Sequence, residues 1–286
     1  MVVMDACDLV RLVVNKVVVP PEPRRRGNPG YPRLRAVRLL VYSKLARLEN
    51  DTWIVRHLKR RRDVVRALGF RRVPHRTTVG RWWRRYSSLL ERVFNWLSGL
   101  IQLLAPTRLL VVDSTPLVDL RDMEADWGFT GRGAFRGFKL HVAVNQLGLP
   151  LKTVVTAGNR HDAPLLPALL EDLEAEYVLA DAGYDSKGNR EAVRSIGAEP
   201  VIAVNPRRGA KRRPKHGRLL KAKRYLVEQF NSLVKGPVLR GSWIRPRGLV
   251  KKTSVVTAGL IGLNMTAAEA MLGDEPGLKA VSRHWL

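Results

Sequence analysis

The chain has 286 residues and a formal net charge of +26, with 51 Lys and Arg against 25 Asp and Glu. Its one cysteine, Cys7, excludes a disulfide framework and a cysteine zinc site and points to a reducing compartment, here the cytoplasm. Asp5 and Asp8 interrupt the N-terminal apolar run, which excludes a signal peptide, and the uncharged stretch 253–268 falls short of a ~20-residue membrane span and is expected to be a buried helix.

The charge is unevenly spread. Residues 1–105 carry 23 basic and 7 acidic residues, residues 106–199 carry 10 and 14, and residues 200–252 carry 16 and 1. An acidic centre between two strongly basic blocks suggests a catalytic middle flanked by polyanion-binding surfaces. Nucleic acid is favoured over an anionic membrane as the partner, because the bias is one-sided rather than mixed.

In chain order, residues 17–32 are rich in Pro, Gly and Arg and are expected to form a loop or arm. From Leu34, apolar residues at Val37, Val41, Leu45 and Leu48 predict an amphipathic helix. A second helix is predicted over 53–68, with Gly69 past its end. Thr77 and Thr78 are a candidate N-cap pair for a short basic helix over 79–86. A longer helix follows, with Leu89, Val93, Leu97, Leu100 and Leu104 on one face.

The segment 66–86 therefore has the outline of a helix-turn-helix, with Arg76, Thr78, Arg81, Arg84 and Arg85 as candidate DNA contacts. The competing reading is a helical hairpin with a solvated basic face. Trp82 and Trp83 suit either base stacking or the core, and core packing is the commoner fate of tryptophan.

After Pro106 the pattern changes. Strands are predicted over 109–112, 139–145, 151–156, 177–180 and 199–204, with helices over 164–173, 187–196 and 219–234. This is an α/β fold with a mixed five-stranded sheet flanked by helices, preceded by an all-helical region. The expected division is residues 1–105 and 106–286.

Asp113 and Asp181 each follow a short apolar run, and Glu228 is the only acid between Pro200 and Lys252. Phosphodiester chemistry by two divalent ions needs carboxylates that converge from separate elements, and strand ends are where such acids reach solvent or metal. Mg²⁺ prefers oxygen ligands and keeps several waters, so three carboxylates suffice. Taken singly, Asp113 suits a turn, and Glu228 suits a helical pair with Arg224. Other acids fit structural roles: Asp162, before Ala163-Pro164, suits a helix N-cap, Asp185 a cap for the next helix, and His141 a satisfied sheet histidine.

The ordered set Asp113-Ser114-Thr115, Gly137-Phe138-Lys139-Leu140-His141, His161-Asp162, Asp181-Ala182-Gly183-Tyr184 and Arg224, Glu228, Phe230, Lys235 resembles the DDE transposases of bacterial and archaeal insertion sequences. The resemblance covers residues 109–272 and, more loosely, the helical region before them. It implies a ribonuclease-H-like catalytic core in which Asp113, Asp181 and Glu228 hold two Mg²⁺ or Mn²⁺ ions. It also implies DNA cleavage at transposon ends followed by strand transfer into target DNA, carried out by a homodimer with no membrane association. Arg224 and Lys235 flank Glu228 and, with Lys139, are candidate DNA contacts. Lys221 stands where the family usually has a Tyr. Two alternatives remain: a metal-dependent nuclease without strand transfer, and a catalytically inactive DNA-binding remnant of a mobile element.

Overall fold

The computed structural model describes residues 5–17, 30–131, 133–205, 225–239 and 246–273. At its centre is β1 (Leu109–Val118), which opens on four buried aliphatic residues, as a strand covered on both faces requires. On one side β1 runs parallel to β5 (Tyr177–Ala180), which runs parallel to β6 (Glu199–Ile202). On the other side it runs antiparallel to β3 (Gly133–Val144). The outer edge of β3 is shared by β2 (Asp126–Thr130), along 133–137, and β4 (Pro150–Ala157), along 138–144.

The described sheet thus has six strands, although it is five positions wide because β2 and β4 lie in tandem. With helices around it, this is the ribonuclease-H-like arrangement expected. The strand without a sequence forecast is β2, whose Trp127 and Phe129 face solvent and so break the usual link between apolar pattern and core.

One expectation about β1 needs correction. The strand does not end at Asp113 but continues to Val118, so Asp113 lies mid-strand and not in a turn. The reason is β3, which supplies antiparallel partners from Val144 back to Gly137. Gly137 permits this close approach, since a Cβ there would lie 2.2 Å from the Leu117 carbonyl oxygen.

The N-terminal region begins with α1 (Ala6–Lys16), capped by Asp5, whose Oδ1 accepts from the Cys7 amide at 2.7 Å. Then come α2 (Arg33–Leu45), α3 (Asp51–Arg60), α4 (Arg62–Ala67), α5 (Arg76–Arg85) and α6 (Ser87–Leu104). The single helix expected over 53–68 is broken at Arg61, whose backbone leaves the helical region (φ −110, ψ 77) while its guanidinium clamps Asp63. Gly69, with φ +87, ends α4 as expected. α5 is capped by His75, whose Nδ1 accepts from the Thr77 amide at 3.3 Å, and not by the Thr77-Thr78 pair. Most of the expected arm over 17–32 lies outside the described residues.

Beyond the central strands come α7 (Leu166–Leu170), α8 (Lys187–Ser195), α9 (Tyr225–Leu233), which continues as a π turn over Val234–Val238, and α10 (Leu249–Leu272). The start of the helix expected over 219–234 lies outside the described residues. α10 is long and apolar enough to cross a membrane, but 83% of its most apolar window is buried inside the protein. It packs against α2, α5 and α6 on the N-terminal side and against β4 of the sheet. Two of its polar residues hydrogen-bond internally: Ser254 Oγ donates to the Trp83 carbonyl, and Asn264 Nδ2 donates to the Pro150 carbonyl at 2.8 Å, although the buried Asn264 Oδ1 has no partner among the described residues. The boundary expected at 105/106 falls between α6 and β1, yet one continuous hydrophobic core spans both sides of it.

The start of α10 is pinned by charge. Lys252 is fully buried, with Nζ 2.5 Å from Asp119 Oδ2, 3.2 Å from Asp122 Oδ2 and 5.0 Å from the Phe138 ring centroid. Asp122 also accepts from the Gly248 amide at 2.7 Å, and Glu124 from the Leu249 amide at 2.8 Å, so carboxylates meet the positive end of the helix. Lys251 reaches back to Asp51 of α3 at 2.9 Å, and the other oxygen of Asp51 accepts from Trp83 Nε1 at 2.9 Å. Replacing Lys252 by Met should therefore strand two desolvated carboxylates and cost about 3–5 kcal/mol in chemical denaturation. Adding Asp119→Asn and Asp122→Asn should recover part of that loss.

Candidate active site

The parallel register of β1 and β5 pairs Val112 with Ala180, so the residues that follow, Asp113 on β1 and Asp181 just past the end of β5, leave the paired strands side by side. β5 ends there while β1 continues, which opens the sheet beside the two carboxylates. They border a cavity of about 260 Å³, together with Val111, Val112, Leu179, Ala180, Ala182, Ala203 and Val227. Asp113 is half-buried and its Oδ1 accepts from the Ser114 amide at 2.8 Å. Asp181 is exposed, and its Oδ1 accepts from the Gly183 amide at 2.9 Å as the cap of the 3₁₀ turn Ala182–Tyr184. A side chain at Gly183 would crowd that oxygen, since a Cβ there would lie 3.0 Å from it.

Glu228 is placed differently. α9 buries Leu226, Val227 and Phe230, and Val227 forms part of the cavity wall. One residue further on, about 100° around the helix, Glu228 is exposed and is not part of the cavity lining. Among the described residues no three His, Cys, Asp or Glu side chains gather closely enough to hold an ion. The structure thus brings Asp113 and Asp181 together and leaves Glu228 on the adjoining helix. The two carboxylates that border the cavity are hard oxygen donors of the kind a divalent cation such as Mg²⁺ takes, and the third acid stands apart from them on the bordering helix.

A polar network lies on the other face of β1. Ser114 is paired across the strands with His141, and its hydroxyl donates to Asp162 Oδ2 at 3.0 Å. Lys139 Nζ donates to Asp162 Oδ1 at 3.0 Å and to the Arg160 carbonyl at 2.9 Å. Buried His141 shares a 2.9 Å hydrogen bond with Thr156 through Nε2, with Nδ1 3.7 Å from Asp162. Asp162 therefore does not cap the turn that follows it, as its place before Ala163-Pro164 suggested; its carboxylate turns inward to Ser114 and Lys139. The ammonium of Lys139, expected to contact DNA, is largely buried and committed to Asp162.

Asp185 is not the cap of α8 either. Ser186 fills that place, while Asp185 pairs with Arg190 at 2.7 Å and accepts from the Asn205 amide. Tyr184 is fully buried, and burial, reinforced by Asp162, Asp113 and Asp181, pushes its phenol well above the ordinary value.

In the helical region, α5 buries Val79, Trp82 and Trp83 and exposes Arg76, Arg81, Arg84 and Arg85, with Thr78 half-buried. The two tryptophans thus belong to the core. The link from α4 to α5 spans residues 68–75, longer than the three or four residues of a tight helix-turn-helix turn. It is held by Phe70, stacked on Trp82 with ring centroids 6.1 Å apart. Arg84 donates to the Arg247 carbonyl at 3.0 Å, which joins this face to the start of α10. Near Glu228, Lys235 is half-buried on the π turn, and Arg224 and Lys221 lie outside the described residues.

Residues 104–265 match the family model described as Transposase DDE domain, and residues 7–85 match Transposase domain (DUF772). The chain belongs to the DDE transposase family. It is 32% identical over 145 residues, 44% of this chain and 64% of the other, to a protein from Burkholderia cepacia described as a transposase for insertion sequence element IS402. It is also 39% identical over 74 residues, 25% of this chain and 57% of the other, to a Brucella ovis protein described as a transposase for insertion sequence element IS6501. The chain thus spans less than two thirds of the length of these curated relatives. Among solved structures it is similar to a piggyBac transposase synaptic complex with hairpin DNA, at TM-score 0.46 and 10% identity, over 98% of this chain and 75% of that one; so distant a likeness has no bearing on function.

His141 gives the site a pH signature. Burial, opposed by Asp162 and reinforced by Lys139, pushes its imidazole down from the ordinary 6.5 to about 4. The unfolded chain therefore takes up this proton first, so the stability due to neutral His141 is complete above pH 6.5 and is lost as pH falls toward 4. Thermal unfolding between these limits should show a steeper loss for the wild type than for His141→Gln.

Proposed function

We propose that the chain is a DNA transposase that cuts at transposon ends and transfers the resulting strand into target DNA. The observation that carries this reading is the placement of Asp113 beside Asp181 at the mouth of one cavity, in a chain of the DDE family. Asp113, Asp181 and Glu228 would hold two Mg²⁺ or Mn²⁺ ions. When bound, such ions stabilise the attacking and leaving oxygens of an in-line phosphoryl displacement.

The chain's own residues supply position and charge. β1 carries Asp113 and the buried β5 delivers Asp181 just past its end, and the Gly183 and Ser114 amides orient one oxygen of each. The exposed arginines of α5, Arg76, Arg81, Arg84 and Arg85, with Thr78 beside them, form a basic face suited to phosphate contact. Lys235, and Arg224 before Glu228, would add positive charge beside the cut strand. The residues 1–105 then act mainly in DNA binding and the residues 106–286 in catalysis. Handling two transposon ends would call for a homodimer, and a protein acting on the DNA of an insertion sequence would work in the cytoplasm.

The test is cleavage of a duplex bearing the element's terminal repeat. Asp113→Ala, Asp181→Ala and Glu228→Ala should each lower Mg²⁺-dependent cleavage about a hundredfold or more, with DNA binding in a mobility-shift assay retained. Full cleavage in any one variant removes that residue from the site. Joining of a pre-cut end to a target plasmid separates a transposase from a nuclease that only cuts, and wild-type protein that binds DNA but neither cuts nor joins would be the inactive remnant.

A further inference from the structure

The inward-turned carboxylate of Asp162 is part of an arrangement that links Asp113 to the turn capped by Asp181. Its Oδ2 accepts from the Ser114 hydroxyl at 3.0 Å, and the Ser114 amide donates to Asp113 Oδ1 at 2.8 Å. Ser114 is thus tied at its side chain to Asp162 and at its backbone to Asp113. The residue after Asp162 is linked through Asn189 to the turn that Asp181 caps. Buried Asn189 donates through Nδ2 to the Ala163 carbonyl at 3.0 Å and to the Tyr184 carbonyl at 2.8 Å, on the turn capped by Asp181. Lys139 fixes the corner from a third side, through Asp162 Oδ1 and the Arg160 carbonyl.

We infer that Asp162 is a positioning residue for the metal-binding acids, acting on Asp113 through Ser114, while Asn189 ties the same corner to the Asp181 turn. The inference rests on the proposed reading of Asp113 and Asp181 as metal ligands. A simple packing role would not need this geometry, since an ion pair with Lys139 alone would anchor the corner. What the Ser114 bond adds is a fixed orientation for the residue next to Asp113, and residues that orient a metal ligand tune its affinity for the ion.

The test is Mn²⁺ binding to the full chain without DNA, read by the loss of free-ion signal in electron paramagnetic resonance. Asp162→Ala and Ser114→Ala should each weaken binding about tenfold, and the double variant should be no weaker than either single one. Asp162→Asn keeps a hydrogen-bond partner for Ser114 but loses the charge facing Lys139, so it should bind within about twofold of the wild type. Thermal unfolding and mobility shift on DNA run alongside. A variant that loses stability but binds Mn²⁺ as the wild type does would reduce Asp162 to a structural residue and overturn the inference. Ser114→Ala, which removes one hydroxyl, keeps the question open to measurement should Asp162→Ala fail to fold. Asp113→Ala separates the two levels of the argument: it should abolish the binding, and Mn²⁺ binding unchanged in that variant would overturn the metal-site reading and this inference together.

Discussion

The parallel pairing of β1 with β5 is the constraint on which the site depends. Leu109–Val112 and Tyr177–Ala180 are two short apolar runs, buried except for Tyr177, and their pairing fixes which residues leave the two strands together. A slip of one residue would turn every side chain to the opposite face and send one carboxylate into the core. The burial of the runs therefore enforces the alignment of the acids. Because β5 stops at Ala180 while β3 carries β1 onward to Val118, the acids sit where the sheet splits open beside a cavity and not on a closed surface.

α10 extends this constraint across the molecule. It is buried almost all round, packs on the N-terminal helices and on β4, and has its first turn held by Asp119, Asp122 and Glu124 from the segment after β1. The same turn contacts α3 through Lys251 and Asp51, and Asp51 in turn holds Trp83 of α5. The basic face of α5 is therefore attached to the strand that carries Asp113 through buried ion pairs and one helix. Such pairs are costly to desolvate and intolerant of losing one partner, so they favour a single relative placement of the basic helix α5 and the carboxylates.

Much of this was legible in the sequence because burial and pattern agreed there. The run before Asp181 is β5 to the residue, and the strands predicted over 139–145 and 151–156 appear as the later half of β3 and as β4. Elements escaped where local pattern and packing diverge. β2 exposes its aromatics, α1 was visible only as an apolar run broken by acids, and the break at Arg61 comes from a side-chain clamp that periodicity does not record. At the site, Asp113 and Asp181 followed from their apolar approaches. Asp162 was misread because Asp before Ala-Pro is helix-cap chemistry, whereas Ser114 and Lys139, 48 and 23 residues away in sequence, capture its carboxylate. The isolation of Glu228 among basic residues marked it out, but not the direction of its side chain, which depends on the rotation of α9 against the cavity wall.

That rotation makes one measurement the most direct. A crystal structure of the full chain with Mn²⁺ and a DNA end, with the ions located by anomalous scattering, should show two peaks about 4 Å apart, bound by Asp113, Asp181 and Glu228. Peaks held by other side chains, or Glu228 still turned to solvent with the ions in place, would contradict the account.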